Sequence, residues 1–291
     1  MTRLPIMIIC VGLLTAACGT DAAGGLGPVP TGTSSHSGSP AGTATAAPSA
    51  TQSTQSQIGL QVWLTEHGKL FVTGRTVPAT RAVGRAAISS LLAGPSAAEH
   101  AAALRSQIPA GTALLGMSID AGVATVDLSH AFVSAAGPST MPVRIAQVVY
   151  TLTQFPTVRG VRFQIDGHGA TVIGGVPVQS PQTRAMYRGY LPAITVHSPV
   201  IGQQVTSPVM VSGTADVFEA TVSVRILDSA GHEIARTFTT ASCGTGCRGS
   251  YSVTVPYTVT RAGHGTVEVF ESSAKDGTPV NVEQIPVTLR P

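Results

Sequence analysis

Charge is scarce in this chain. Asp, Glu, Lys and Arg make up 11% of its 291 residues, less than half of the roughly 25% usual in soluble proteins. The surface must therefore be covered largely by Thr, Ser, Gly, Ala and Gln. The net charge is +3 and no block of Lys and Arg occurs, which argues against nucleic acid as a partner, because phosphate binding needs clustered cations. Long apolar runs are also missing. The run from Leu4 to Ala17 contains Pro5 and amounts to about a dozen apolar residues, against the roughly 20 that a membrane helix needs. A Gly-x-Ser-x-Gly elbow, a His-Glu-x-x-His pair and a Gly-rich phosphate loop are all absent. Apolar content is not short: at 43% it is ample for the cores of about two domains at this length.

Arg3, the apolar run and the small residues Ala16 and Ala17 before Cys18 have the layout of a secretory signal. The ending resembles a bacterial lipoprotein box, with Thr15 where an aliphatic residue is most common. The resemblance implies a lipid on Cys18 as the mature N-terminus and attachment at the extracytoplasmic face of the cell membrane. The other reading is an ordinary signal peptide with a chance cysteine. Of the four cysteines, Cys10 falls within the signal and Cys18 takes the lipid, which leaves Cys243 and Cys247. In an exported protein such a pair reads as a disulfide, with Gly244-Thr-Gly246 making the turn. A redox pair and a metal site are the alternatives. Metal would need further ligands, and His232 and His264 are the nearby histidines in sequence. No cofactor and no metal is expected.

The chain divides into a signal over 1–18, a tether over 19–57, an α+β domain over 58–178, a linker over 179–192 and an all-β domain over 193–291. The tether is Gly, Ser, Thr, Ala, Pro and Gln with almost no large apolar side chain, so it cannot offset its ordering entropy. As a coil it spans roughly 35 Å. Beyond it, Val62 and Leu64, then Leu70, Phe71 and Val72, read as strands about a His67-Gly68 turn. Pro78 opens a helical pattern that stops at Gly94-Pro95, with Val83, Ala87 and Leu91 on one face and Arg81, Arg85 and Ser89 on another. Leu115, Met117 and Ile119, a turn at Asp120-Ala-Gly122, then Ala124, Val126 and Leu128 form a hairpin signal. Pro142 introduces a second helix, ended by Pro156. Ile145, Val149, Leu152 and Phe155 lie on one of its sides, Arg144, Gln147, Thr151 and Gln154 on the other. Val161, Phe163 and Ile165 make a strand, Asp166-Gly167 a turn, and 171–178 a last short strand. A sheet with one face covered by two helices is the simplest α+β packing of this order.

Residues 179–192 are polar, without periodicity, and read as an inter-domain linker, with Tyr187 and Tyr190 placed to pack at the junction. From there the period is two almost throughout: 194–196, 209–212, 222–226, 234–239, 251–255, 267–270 and 280–287. Turn residues lie between, at Ser229-Ala-Gly231, Ala262-Gly-His-Gly265 and Asp276-Gly277. About seven short strands with regular turns predict an immunoglobulin-like β-sandwich. The usual Cys, Trp and Cys core is missing, because the one tryptophan is Trp63 and Cys243 and Cys247 are too close to bridge two sheets.

Arg75-Thr-Val-Pro78, Leu91-Leu-Ala-Gly-Pro95, Ile108-Pro-Ala-Gly-Thr112, Gly122-Val-Ala-Thr-Val-Asp-Leu-Ser129 and Gln147-Val-Val-Tyr-Thr-Leu-Thr-Gln-Phe-Pro156 with Val161-Arg-Phe163 occur in order over 61–178. Together they resemble the sporulation and spore germination (GerMN) domain. Ile194 to Pro199, Ser207-Pro-Val-Met-Val-Ser-Gly-Thr-Ala215, Val217-Phe-Glu-Ala-Thr-Val222 and Gly249-Ser-Tyr-Ser-Val-Thr-Val255, over 192–289, resemble the immunoglobulin-like domain of bacterial spore germination. The first resemblance implies an extracytoplasmic module without established catalytic residues, of a kind associated with multiprotein envelope complexes. The name of the family does not make the source a spore former.

Three groupings invite chemistry. Asp127, Ser129 and His130 suggest a triad, but neighbours on a strand point to opposite faces and a triad needs converging side chains. Glu219 with Glu268 or Glu271 would suggest paired carboxylates for glycan hydrolysis; the other reading makes Glu219 a structural part of its motif. Trp63 reads as a core or edge-strand anchor ahead of a sugar-stacking platform. No catalytic residue is assigned. The expectation is a non-enzymatic, lipid-anchored envelope protein that binds or scaffolds protein partners. The alternative is an accessory protein that binds peptidoglycan or another wall glycan for a cell-wall hydrolase.

Overall fold

The computed structural model describes residues 56–134 and 137–291. The expected signal, Cys10, Cys18 and the tether up to residue 55 lie outside the described residues. Strands β1 (Gln57–Glu66) and β2 (Lys69–Pro78) pair antiparallel over their whole length. His67 and Gly68 both have positive φ, 47° and 77°, the geometry that a two-residue hairpin requires. Leu70, Phe71 and Val72 are consecutive and all buried, as are Val62, Trp63 and Leu64. A strand that buries successive residues is covered on both faces.

Pro78 ends β2 and does not open the helix. Its register partner is Gln57, and Ala79 N–H continues the ladder to Ser56 C=O at 2.8 Å. Helix α1 starts later and runs Val83–Leu92; Ala87, Ile88 and Leu91 are buried, while Arg81, Arg85 and Ser89 are exposed. A short helix α2 (Ala97–Ala101) follows, held by a capping box between Ser96 and Glu99. Strands β3 (Leu114–Asp120) and β4 (Val123–Leu128) form the expected hairpin. Helix α3 (Met141–Leu152) carries Pro142 in its first turn. It crosses over to β5 (Gly160–Ile165), which pairs parallel with β4; β6 (His168–Gly169) folds back on β5. The resulting mixed sheet has the order β3-β4-β5-β6. Residues 171–178 are two strands instead of one, β7 (Val172–Ile173) and β8 (Val176–Pro177), because Gly174 and Gly175 both take positive φ and turn the chain back on itself.

The helices do not lie on one face of a single sheet. The β1–β2 hairpin is a separate two-stranded layer, and α3 packs against both the hairpin and β5. Every residue of α3 except Pro142 is therefore buried, Arg144, Gln147 and Thr151 included. The polar side of α3 faces the free edge of β1. Gln147 Nε2 donates to Trp63 C=O at 2.9 Å, and Thr151 Oγ1 accepts from Trp63 N–H at 3.1 Å. Gln154 accepts from Gln61 N–H at 2.8 Å and donates to Gln61 C=O at 2.7 Å. Gln147 and Thr151 on the helix and Gln154 in the turn after it thus do the work of a neighbouring strand, closing an edge that would otherwise bury unpaired backbone.

Residues 179–192 are ordered and docked. Gln182 makes a two-way backbone bridge with Val161, and Arg184–Tyr190 form a 3-10 helix in which Tyr187 is buried beside Tyr190. Beyond it come β9 (Ile194–Ser198), β10 (Gln204–Thr206), β11 (Val209–Ala215), β12 (Thr221–Leu227), β13 (Glu233–Thr240), β14 (Gly249–Val255), β15 (Gly263–Ser272) and β16 (Pro279–Arg290). They form two sheets, β14-β11-β9 and β10-β16-β15-β12-β13. The strand β10 is additional to those expected and pairs parallel with the end of β16. Gly263 to Gly265, expected as a turn, begin β15 opposite Leu289 to Val287, and a Cβ on Gly265 would overlap the Leu289 side chain. Cys243 and Cys247 are joined, with their Cα atoms 5.5 Å apart. The described residues form one compact unit, and a single hydrophobic cluster runs from Val62 and Leu70 through Ile194 to Val287.

Candidate functional site

The junction between the α+β part and the sandwich encloses a cavity of about 450 Å³. Trp63 of β1 and Tyr150 of α3 form one side, with ring centroids 4.8 Å apart. The 3-10 helix contributes Arg184 and Arg188, β9 contributes His197, β11 and the residue after it contribute Thr214 and Asp216, and the disulfide loop and the residue after it contribute Gly246 and Arg248. Arg184 lies over the aromatic pair, its guanidinium carbon 4.6 Å from the Tyr150 ring centre and 5.6 Å from that of Trp63. Its Nε donates to Thr153 Oγ1 at 2.7 Å and Nη2 to Tyr150 C=O at 2.9 Å. Arg248 Nη1 donates to Thr214 C=O and Oγ1, both at 3.2 Å, and Nη2 donates to Pro192 C=O.

The electrostatics of this cavity are those of a desolvated cationic site. Burial pushes the Arg184 and Arg248 guanidiniums down from their ordinary value. His197 stands edge-on to Trp63, 6.2 Å between ring centres. Burial and the positive fields of Arg184 and Arg248 push it down to about 4, so its imidazole is neutral at pH 7. Burial pushes the Tyr150 hydroxyl up, against the pull of Arg184, Arg248 and Arg188. On the other side of His197 lies a larger, more open groove of about 790 Å³ between Gly59–Gln61 and Val200–Gln203, with Arg75 and Gln154 in its wall. A third feature of the junction is Glu283, which lines a small gap with Phe71 and Pro192. Burial and Glu66 push its carboxyl up to about 8, against Arg248.

Residues 62–171 match the family model described as Sporulation and spore germination, and residues 193–278 match the Immunoglobulin-like domain of bacterial spore germination. A GerMN-type domain is thus followed by an immunoglobulin-like domain of the germination type. No curated protein matches the chain. Among solved structures it is similar to the tandem GerMN domains of the sporulation protein GerM from Bacillus subtilis, at 16% identity and a TM-score of 0.40, covering 81% of this chain and 61% of that one. The chain thus spans about three fifths of that structure's length. It is also similar to the first GerMN domain of the same protein, at 21% identity and a TM-score of 0.35, covering 44% of this chain and 98% of that one.

In the GerMN domain, Asp127, Ser129 and His130 do not converge. Asp127 Oδ1 accepts from Gly167 N–H at 3.0 Å, Ser129 Oγ accepts from Ala113 N–H at 2.9 Å, and the exposed His130 faces Asp166 at 3.9 Å. Trp63 is 2% exposed and offers no face to a sugar. In the immunoglobulin-like domain the three glutamates have separate commitments. Glu268 is buried and pairs with Arg225 at 2.5 Å and Gln284 at 2.7 Å. Glu271 accepts from Phe218 N–H at 2.9 Å and Asn281 at 2.7 Å, and Glu219 stands at a positive φ of 53°. Among the described residues no group of three or more His, Cys, Asp or Glu side chains is placed to hold a metal ion. Sequence reasoning missed Arg184, Arg188, His197 and Arg248. One signal was available: two arginines and two tyrosines within Arg184–Tyr190, in a chain otherwise poor in charge and aromatics.

Proposed function

We propose that this protein works by binding, as a scaffold component of a protein assembly in the cell envelope, held at the extracytoplasmic face of the membrane by a lipid on Cys18. The observation that carries the reading is the junction itself. The two germination-type domains share a continuous hydrophobic cluster and together line a cavity with ionisable groups from both. Two modules on a free linker would present two independent small surfaces. A fused pair presents one composite surface of fixed geometry, which spares a partner the ordering entropy of bringing the halves together. The commitment of Asp127, Glu268 and Glu271 to backbone and side-chain partners supports binding over catalysis.

The test is photo-crosslinking in cells from Met186, which is exposed on the 3-10 helix beside the cavity. A discrete set of crosslinked envelope proteins, together with release of the protein from the membrane fraction by Cys18→Ser, is the expected result. No discrete crosslinks, with saturable pelleting of the protein on peptidoglycan sacculi at moderate salt, would replace the scaffold reading with wall-glycan binding.

A further inference from the structure

We infer that the junction cavity is an anion site, built to take the carboxylate or phosphate group of a small ligand. This rests on reading the junction as a binding surface and adds the chemistry that it selects. Three arginines line the cavity, and among the described residues none of them takes part in an ion pair. The partners of Arg184 and Arg248 are neutral: a threonine hydroxyl and a carbonyl for one, a hydroxyl and two carbonyls for the other. The one carboxylate in the lining, Asp216, accepts from Gly246 N–H at 2.7 Å and lies beyond ion-pair distance of all three guanidiniums. Withdrawing a charge from water without a close counter-charge is costly; Asp216 and Glu283 act on Arg248 only from beyond ion-pair distance, no carboxylate bears on Arg184, and an entering anion would supply the missing contact.

Trp63 contributes its ring to the wall, while its Nε1–H is closed off from solvent and is no donor to a bound group. Carboxylate and phosphate oxygens are acceptors only, and the planar fork of arginine matches both. His197 adds a polar ring to the wall. The Trp63 and Tyr150 rings are buried and overlaid by Arg184, so recognition runs through charge and hydrogen bonds instead of stacking. A volume of about 450 Å³ falls in the range of small-molecule sites, about 300–1,000 Å³, and so admits more than a bare ion. Arg188 is exposed at the rim, where it meets an arriving anion first.

Trp63 is the one tryptophan of the chain and reports on the site directly. The full chain is titrated with inorganic phosphate and, separately, with acetate, at constant ionic strength set by chloride, while its emission is followed. We expect a saturable change with at least one of the two, and the tighter one identifies the group. Arg188→Gln, whose parent side chain makes none of the described hydrogen bonds, and Arg248→Lys should each weaken binding by about tenfold, the loss of one charge-assisted contact, with far-UV circular dichroism unchanged. A flat titration with both anions, the same response to chloride alone, or full affinity in both variants would overturn the anion site. Discrete crosslinks from Met186 beside a flat titration would leave the scaffold reading standing and remove this one; saturable binding without crosslinks would do the reverse.

Discussion

Gln147 and Trp63 are joined side chain to backbone across two layers of the GerMN domain, 2.9 Å from Nε2 to the carbonyl oxygen, with Gln147 entirely buried. The same amide accepts from Gln107 N–H at 2.9 Å. One side chain therefore satisfies two backbone groups from segments that no sheet ladder connects. This explains why a helix with a polar stripe has no wet face: the stripe is the missing neighbour of β1.

Gln147→Leu keeps the volume and removes both bonds, which leaves the buried Trp63 carbonyl and the half-buried Gln107 N–H without partners. Each orphaned group costs about 1–3 kcal/mol, so we expect a loss of about 3 kcal/mol in urea unfolding with an unchanged slope. A loss below about 1 kcal/mol would mean that water enters to replace the amide.

The pair Arg75–Glu99 is the second polar anchor of this domain. Glu99 is 2% exposed, and its carboxylate accepts from Arg75 Nη1 at 2.5 Å, Arg75 Nη2 at 2.7 Å, Thr73 Oγ1 at 2.6 Å and Ser96 N–H at 2.7 Å. Burial raises its pKa, but the bonds from Arg75, Thr73 and Ser96 outweigh it, and the net shift is downward from 4.5. A lowered acid stabilises the fold above its unfolded pKa, and that stability is lost as pH falls through the folded value. Glu99→Gln should cost about 3 kcal/mol at pH 7, the price of leaving Arg75 unpaired, and the difference from wild type should shrink as pH falls below 4.5 in denaturant titrations.

Local signals were the readable ones. The turns at His67-Gly68 and Asp166-Gly167 stand where hairpin chemistry places them, with φ of 47° and 77° and of 49° and 79°. In the sandwich each expected strand recurs with ends a few residues longer, because a period of two with intervening turn residues is written within a few positions. The separation of the β1–β2 hairpin from the main sheet was not readable. Gln147, Thr151 and Gln154 have the same helical spacing whether their stripe meets water or a strand edge, and only the tertiary fold decides between them. The cationic cavity was hidden for a related reason. Arg184 and Arg248 lie in segments without periodicity, and nothing local links a 3-10 helix to a disulfide loop on another domain.

That loop offers a direct test. Cys243 and Cys247 close a very short ring, and the chain-entropy model gives such a ring about 2 kcal/mol. The loop is held independently by Thr245 N–H on Val217 C=O at 3.0 Å and Gly246 N–H on Asp216 at 2.7 Å. Reduction should therefore lower the unfolding midpoint modestly and leave far-UV circular dichroism intact. Its larger effect should fall on the Trp63 titration, because Gly246 and Arg248 line the cavity. Global unfolding on reduction would show that the disulfide holds more than its loop.

The junction also carries two groups with opposite pH responses, and their windows separate them. The Glu283 carboxyl is pushed up to about 8 from 4.5, by burial first and by Glu66 second, against Arg248. A raised acid stabilises the fold fully below its unfolded pKa and loses that contribution as pH climbs through the folded value. Glu283 therefore works against the fold progressively between pH 4.5 and 8. His197, pushed down from 6.5 to about 4, stabilises above 6.5 and loses its contribution as pH falls toward 4. Between pH 4.5 and 6.5 the two slopes oppose each other, but between pH 6.5 and 8 the His197 contribution is already complete and Glu283 alone of the two still changes. Wild type should lose stability from pH 6.5 to 8 in urea unfolding, and Glu283→Gln, neutral at every pH, should flatten that decline and be the more stable protein at pH 8. A wild-type midpoint constant across this window, or the same slope in the variant, would show that the Glu283 carboxyl stays ionised at the junction and that Arg248 outweighs its burial.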